Sequence, residues 1–458
     1  MENQNKDHLS LVIAGTVDSG KSTTTGRLIF DLGGITDREM QKLKEEAKFH
    51  GKESFEFAFF MDTTEEERRR GITIKCTTKE FFTQSKRYTI IDAPGHKDFL
   101  KNMITGSAQS DIGIVLVPAD GNFASSIDKE NGQSRKHALI LKQLGVEQLI
   151  VGINKMDSAK YSEERYNEIR DEVKNFLVKV GWSKKFVEES VPIIPYSGFH
   201  GENLTKETDK MPWWKGVEIK TKSGNKVFVK TVYDCLDRYA EVPKRENDKP
   251  LRVPINGVFK IKGAGDIITG RVEQGVLKPG SEVVFLPRHT DSSECSGKVF
   301  SIEMHHKSVT MAGCGDNVGM NIKGLNKDYL PKVGDVMILK SDQSLKPCKR
   351  FTALVQVLTH PGELEDGYTP TGMVRTSKVP LKLIKIIWKK GKETGGEKKE
   401  YVEGEKPHLS SNDMAEVVFE PQKPFVVQSF KDCLPLARLL VLEGNSPVML
   451  GKITGVEY

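Results

Sequence analysis

Residues 15–22 read Gly15-Thr16-Val17-Asp18-Ser19-Gly20-Lys21-Ser22, the pattern G-x-x-x-x-G-K-[ST], and the flanking residues supply the context this pattern needs. An apolar run, Leu11 to Ala14, enters it as a buried strand would, and Thr23 to Ile29 leaves it with helical spacing. In such a loop the glycines let successive backbone N–H groups turn inward around phosphate oxygens, and the helix N-terminus adds partial positive charge. Asp18, Ser19, Gly20 and Thr23 complete the cradle, Lys21 reaches the β and γ phosphates, and the Ser22 hydroxyl is a magnesium ligand.

Strand, loop and helix recur down the first 200 residues. Leu9 to Ala14, Tyr88 to Asp92, Ile112 to Pro118, Leu149 to Asn154 and Pro192 to Tyr196 read as strands. Between them Phe99 to Ser107, Lys136 to Leu144 and Glu163 to Val180 read as helices. This alternation predicts an α/β domain with a mostly parallel sheet, whose ligands bind at the carboxyl ends of the strands. After a last helical segment, Val232 to Tyr239, the charged stretch Glu241 to Pro250 reads as a linker. Beyond it, short β-branched runs punctuated by glycine, such as Val253 to Ile261 and Gly270 to Gly275, predict antiparallel β-barrels. A second break over Ser341 to Pro347 divides that part in two. The expected domains are therefore 1–240, 241–340 and 341–458. In the last of them, Lys389 to Glu400 reads as a solvated, glycine-broken hairpin tip.

Composition narrows the setting. A chain of 458 residues exceeds what one core usually supports, and 37% apolar with 29% charged residues describes a globular protein. No apolar run approaches bilayer length and Met1 to His8 has no signal-type apolar region, so a cytoplasmic, membrane-free protein is expected. The six cysteines form no C-x-x-C pair, which argues for free thiols and against structural zinc. A net charge of +6 permits an RNA partner without demonstrating one.

A phosphate loop does not choose between adenine and guanine; later residues do. Ile90 to His96 places Asp92 at a strand end, where it can hold the magnesium shell, with the Gly95 N–H facing a γ phosphate. Asn154-Lys155-Met156-Asp157 matches N-K-x-D, whose carboxylate accepts from the N1–H and exocyclic amine of guanine. Ser197, Gly198 and Phe199 follow a further strand end, where backbone N–H groups can meet the guanine carbonyl. Within Arg69 to Ile74, Thr73 is placed to be a second magnesium hydroxyl, made only while the γ phosphate is present. GTP, GDP and Mg2+ are the expected cofactors.

These residues resemble the translational GTPases of the elongation factor 1 alpha group, along nearly the full length of the chain. The likeness runs through Gly15 to Arg27, Arg70 to Thr73, Asp92 to His96, Asn154 to Asp157 and Met211 to Gly216. It continues through Val258 to Ile261, Glu303 to His306, Gly315 to Gly319 and His360 to Gly362. Gly263 to Arg271, Cys295 to Phe300 and Asn317 to Gly324 look most like the eukaryotic elongation factor-like branch. The resemblance implies a GTP hydrolase, stimulated by the ribosome, that carries aminoacyl-tRNA to the A site in its GTP state. By that analogy His96 positions the attacking water, with Lys21 and Thr73 completing the catalytic set and Val17 and Ile72 gating it. Glu303 then lies near the terminal adenosine of the tRNA and Asn317 near the aminoacyl ester. A monomer is expected, with room for a guanine-nucleotide exchange factor. Two departures stand out: Thr16 occupies a position where the family carries histidine, and Arg375 to Lys378 replaces a histidine-containing phrase. Two other readings share the motifs. A termination or ribosome-rescue GTPase carries a protein partner, but such relatives generally have a long N-terminal extension. A GTPase subunit of sulfate activation lacks the Met211 to Gly216 and Glu303 to His306 phrases.

Overall fold

The computed structural model describes residues 6–51, 55–61, 64–70, 73, 77–96, 99–107, 110–128, 132–261, 265–290, 292–304, 307–358, 360–402, 404–444 and 446–458. Two compact units divide the chain, Met1–Pro243 and Lys244–Tyr458.

The first unit is built on six strands: β1 (Asp7–Gly15), β2 (Thr77–Phe82), β3 (Lys86–Asp92), β4 (Ile112–Pro118), β5 (Gln148–Asn154) and β6 (Ile193–Pro195). Their order is β2-β3-β1-β4-β5-β6, with every pair parallel except β2 with β3. Because β3 lies on one side of β1 and β4 on the other, the sheet opens a crevice at the carboxyl end of β1, where residues 15–22 begin. Strands β4 and β5 are buried along their whole length, which is why they read as unbroken apolar runs. Leu11, Ile13, Ile90, Ile114, Leu116 and Ile150 form the heart of this core, each worth about 1.5–3 kcal/mol as an upper estimate of burial.

Helices α1 (Lys21–Asp31), α2 (Asp37–Phe49), α3 (Glu56–Met61) and α4 (Glu65–Arg70) precede β2. Helices α5 (Leu100–Ser107), α6 (Phe123–Ile127), α7 (Gln133–Leu144), α8 (Glu163–Lys179) and α9 (Lys184–Ser190) follow β3. A hairpin, β7 (Val217–Lys220) with β8 (Lys226–Val229), and the turn α10 (Val232–Asp234), continued by a wider turn over Cys235–Tyr239, complete the unit. Glu241 is bonded at its N–H and C=O to the Gln148 side chain, so the start of the charged stretch belongs to this unit. No helix among the described residues is long and apolar enough to cross a membrane.

The second unit holds two closed antiparallel barrels. The first uses β9 (Val253–Ile261), β10 (Gly265–Arg271), β11 (Glu282–Leu286), β12 (Ser296–Met304), β14 (Asn317–Lys323) and β15 (Val336–Leu339), with β13 (Lys307–Val309) hung on β12. Pairing of β11 with β12 closes that ring. The second uses β16 (Arg350–Val357), β17 (Thr371–Val374), β18 (Ser377–Lys390), β20 (Met414–Pro421), β21 (Arg438–Glu443) and β22 (Ser446–Glu457), closed by β17 with β18 and extended by β19 (Lys399–Glu400). Burial alternates along β16 and β20, as one-sided strands require.

Buried polar groups join the barrels. The Arg252 guanidinium, 1% exposed, donates to Gln428, Asp342 and Ser344. Arg375 donates to Glu273 at 3.0 Å, and the Thr376 hydroxyl donates to the Ile255 carbonyl at 2.8 Å. The phrase Arg375 to Lys378 is thus part of an inter-barrel latch. The hairpin tip is solvated as its sequence suggests, with Lys392, Glu393 and Gly395 to Glu400 exposed, but at its base Lys389 is buried, its ammonium held by Glu393 at 2.6 Å and by the His408 carbonyl at 2.8 Å. A long apolar stem lets a lysine lie inside a barrel wall when its charge finds partners.

Candidate functional site

At the carboxyl ends of β1, β3 and β5 lies a cavity of about 510 Å3. Val17, Asp18, Gly20, Lys21, Ser22 and Thr23 form one wall, and Thr73, Gly95 and His96 the next. Asn122, Asn154, Lys155, Asp157, Ser158 and Phe199 form the far end, and Phe55 and Ala58 close one side.

At the near end the loop folds onto its own backbone. The Thr16 carbonyl accepts from Ser19 Oγ at 2.8 Å and from Lys21 Nζ at 2.7 Å. Gly20 has φ 86°, and a Cβ there would stand 2.2 Å from Asn154 Nδ2, so glycine is required on both counts. A Cβ on Gly95 would meet Lys21 Nζ at 2.4 Å and the Val17 nitrogen at 2.9 Å. Burial pushes the Lys21 ammonium down to about 8, against the pull of Asp92 and Asp18.

Ser22 Oγ and Thr73 Oγ1 stand 3.1 Å apart although 51 residues separate them. Asp92 lies behind, fully buried, and among the described residues neither of its carboxylate oxygens has a hydrogen-bond partner. Burial pushes its carboxyl up to about 6, opposed by the Ser22 hydroxyl and the Lys21 ammonium. Two hydroxyls and a carboxylate with uncommitted oxygens are the hard oxygen donors a magnesium shell uses, so these residues fit that ion. Half-buried His96 lines the cavity beside Gly95, its ring 5.9 Å from that of Phe99. Of the apolar gate, Val17 lines the cavity and Ile72 lies outside the described residues.

Asn154 organises the far end. Its Nδ2 donates to the Ser19 carbonyl, and its Oδ1 accepts from the N–H groups of Gly198 and Lys155, all at 2.8 Å. One side chain thus ties the phosphate loop to the ends of β5 and β6. Lys155 turns into the left-handed region, φ 64°, and its ammonium meets Asp120 at 2.9 Å. Half-buried Asp157 faces the cavity. One expectation is redirected here. The Ser197 N–H donates to the Glu202 carbonyl and the Gly198 N–H to Asn154, so these amides are committed within the protein and both residues stand behind the wall. Phe199, 38% exposed, is the residue of that segment that lines the cavity.

Comparison with known proteins agrees with this geometry. Residues 6–242 match the family model described as elongation factor Tu GTP binding domain. Residues 265–338 match elongation factor Tu domain 2, and residues 350–454 the GTP-eEF1A C-terminal domain-like model. The chain is 43% identical over 449 residues to elongation factor 1-alpha of Plasmodium falciparum, covering 98% of this chain and 95% of that protein. It is 42% identical over 453 residues to elongation factor 1-alpha of Saccharomyces cerevisiae, covering 99% and 95%. The chain belongs to the elongation factor 1-alpha family. It is a translation elongation GTPase, and its nucleotides are GTP and GDP. In fold it also resembles the S. cerevisiae Ski7 GTPase-like domain bound to GTP, with a TM-score of 0.76 at 17% identity over 98% of this chain and 97% of that one.

In the second unit of this elongation factor 1-alpha relative, Glu303 lies exposed on β12 and half-buried Asn317 opens β14. Glu303 pairs with Gly319, two residues from Asn317, so both sit on the outer face of neighbouring strands. Among the cavity residues, Phe55, Ala58, Asn122 and Ser158 carried no assignment from sequence. For Asn122 a signal existed, its place just past the carboxyl end of β4. Phe55 and Ala58 owe their place to α3 docking on α1.

Proposed function

We propose that this GTPase holds aminoacyl-tRNA while GTP is bound, presents it at the ribosomal A site and releases it once GTP is hydrolysed. The observation that carries the reading is the 3.1 Å approach of Thr73 to Ser22 at the phosphate end. A residue from the segment between α4 and β2 is thereby tied to the state of the terminal phosphate. Ser22 and Thr73 would hold Mg2+, with Asp92 behind them on its water shell, and the ion neutralises phosphate charge when bound. Lys21 balances charge on the β and γ phosphates. His96 orients the water whose oxygen attacks the γ phosphorus as the bond to the β–γ bridging oxygen breaks, leaving GDP and phosphate. Val17 and Ile72 keep that water back until the ribosome acts.

Asp157 accepts from the guanine N1–H and amine, while Asn154 and Lys155 shape the base end and Phe199 packs against it. Gly20, Asp18, Ser19, Thr23 and Gly95 cradle the phosphates, and Gly198, next to Ser197, supports Asn154 through its N–H. In the barrels, Glu303 meets the terminal adenosine and Asn317 the aminoacyl ester; the working division is that read from the sequence, 1–240, 241–340 and 341–458, with its first boundary moved to Pro243. The protein acts in the cytoplasm as a monomer, with an exchange factor as an accessory partner. Within the family, the phrases Gly263 to Arg271, Cys295 to Phe300 and Asn317 to Gly324 favour the eukaryotic elongation factor-like branch. The test is spontaneous deacylation of aminoacyl-tRNA. With the GTP form present the ester should persist, and with the GDP form it should hydrolyse as in buffer; equal rates would refute the carrier reading.

A further inference from the structure

Helix α7 carries Ser134 and His137 in its first turns, three residues apart and therefore on one face. Both are 0% exposed, and both turn to the residues that open the phosphate loop. Ser134 Oγ accepts from the Thr16 N–H at 3.1 Å and donates to the Leu116 carbonyl at 3.0 Å. His137 Nδ1 accepts from the Gly15 N–H at 3.1 Å. A ring nitrogen that accepts is the unprotonated one, so the neutral ring carries its proton on Nε2. Among the described residues that Nε2 has no hydrogen-bond partner. Burial, reinforced by the nearby Lys21 ammonium, pushes this histidine down to about 3, so the ring is neutral at physiological pH.

A buried ring with an unanswered N–H is a poor choice for filling space, since that group loses its water without replacement. What the ring provides is an acceptor for the Gly15 N–H, at the residue where β1 ends and the loop begins. The consequence runs along the loop: the peptide units at 15 and 16 are fixed from outside, and the Thr16 carbonyl they orient receives both Ser19 Oγ and Lys21 Nζ. Gly15 itself has no room for a side chain, as a Cβ there would stand 2.7 Å from the Leu116 carbonyl.

We propose that His137 is a positioning residue for the nucleotide. Without lining the cavity, it fixes with Ser134 the peptide units from which the phosphate loop and Lys21 are hung. This rests on residues 15–22 being the nucleotide seat, which GDP binding by the unaltered protein checks independently.

The test compares substitutions of His137 by the release rate of a fluorescent GDP analogue and by melting temperature. Asparagine places its Oδ1 close to where Nδ1 stood, glutamine extends past that point, and leucine offers no acceptor. H137N should release GDP within about threefold of the unaltered protein, whereas H137L and H137Q should release it about tenfold faster, the scale of one lost hydrogen bond. Ser134→Ala should move in the same direction. Wild-type release from H137L or H137Q would overturn the proposal, as would release rates in all variants that simply track their melting temperatures. Should H137L not fold, the contrast between asparagine and glutamine still decides.

Discussion

Replacing Asn154 by alanine removes the side chain that ties three segments together. The Ser19 carbonyl and the Gly198 N–H, both buried, lose their partner, while the Lys155 N–H is partly exposed and can turn to water. Two stranded buried groups at about 1–3 kcal/mol each give a loss of about 2–6 kcal/mol. Part of this appears as lower stability without nucleotide, and part as weaker binding, because the stranded Ser19 carbonyl belongs to the loop that receives the phosphates. The assay is titration of a fluorescent GDP analogue alongside thermal unfolding, with and without GDP. Affinity should fall at least about tenfold, which is about 1.4 kcal/mol, and the remainder should show as a lower melting temperature. GDP affinity within twofold of the unaltered protein at an unchanged melting temperature would refute the reasoning.

Other expectations follow from single side chains. His137 is held to about 3 in the folded chain against 6.5 when free. The unfolded state therefore binds a proton first as pH falls below 6.5, and stability is lost from there down to about 3 at up to about 1.4 kcal/mol per pH unit. By pH 5 that amounts to about 2 kcal/mol, so denaturant melts at pH 7 and 5 should show a steeper acid loss for the unaltered protein than for H137N. Arg252→Ala should destabilise the barrel unit by about 3–5 kcal/mol, because Asp342 and Gln428 lose a buried cation; differential scanning calorimetry reads this, and GDP affinity should not change. Asp157→Asn should weaken GTP by about 1.5–3 kcal/mol and favour xanthosine triphosphate; competition titration reveals it, and unchanged GTP preference would remove Asp157 from the base end.

The sheet was legible because β4 and β5 are buried on both faces and so read as pure apolar runs between polar ends. The loop was legible because its glycines answer local needs, the left-handed turn at Gly20 above all. Helices α2, α3 and α4 were not, since α2 is highly charged with only Met40 and Ala47 buried, and α3 and α4 are six residues each. Their start signals were present as T-x-x-E boxes, Thr36 with Glu39 and Thr64 with Glu67. The docking that brings Phe55 and Ala58 to the cavity depends on Gly26, where a Cβ would stand 2.0 Å from the Phe57 carbonyl. Such a close approach is a tertiary fact with no periodic trace. Likewise N-K-x-D identified Asn154 but not its work, which is internal stitching. Nothing in Ser197-Gly198 tells whether their amides face a ligand or the protein. Lys389 reads as solvent-facing because the partners that permit its burial, Glu393 and the His408 carbonyl, are brought to it by the fold.

The central claim is that GTP hydrolysis releases an aminoacyl-tRNA for use by the ribosome. The most direct measurement combines the GTP form, aminoacyl-tRNA and ribosomes carrying a P-site peptidyl-tRNA, and follows GTP hydrolysis and peptide-bond formation together in one turnover. With a cognate A-site codon, one peptide bond should form for each GTP hydrolysed, and hydrolysis should precede it. Stimulated hydrolysis without any transfer of the amino acid would contradict the account and point to a protein cargo.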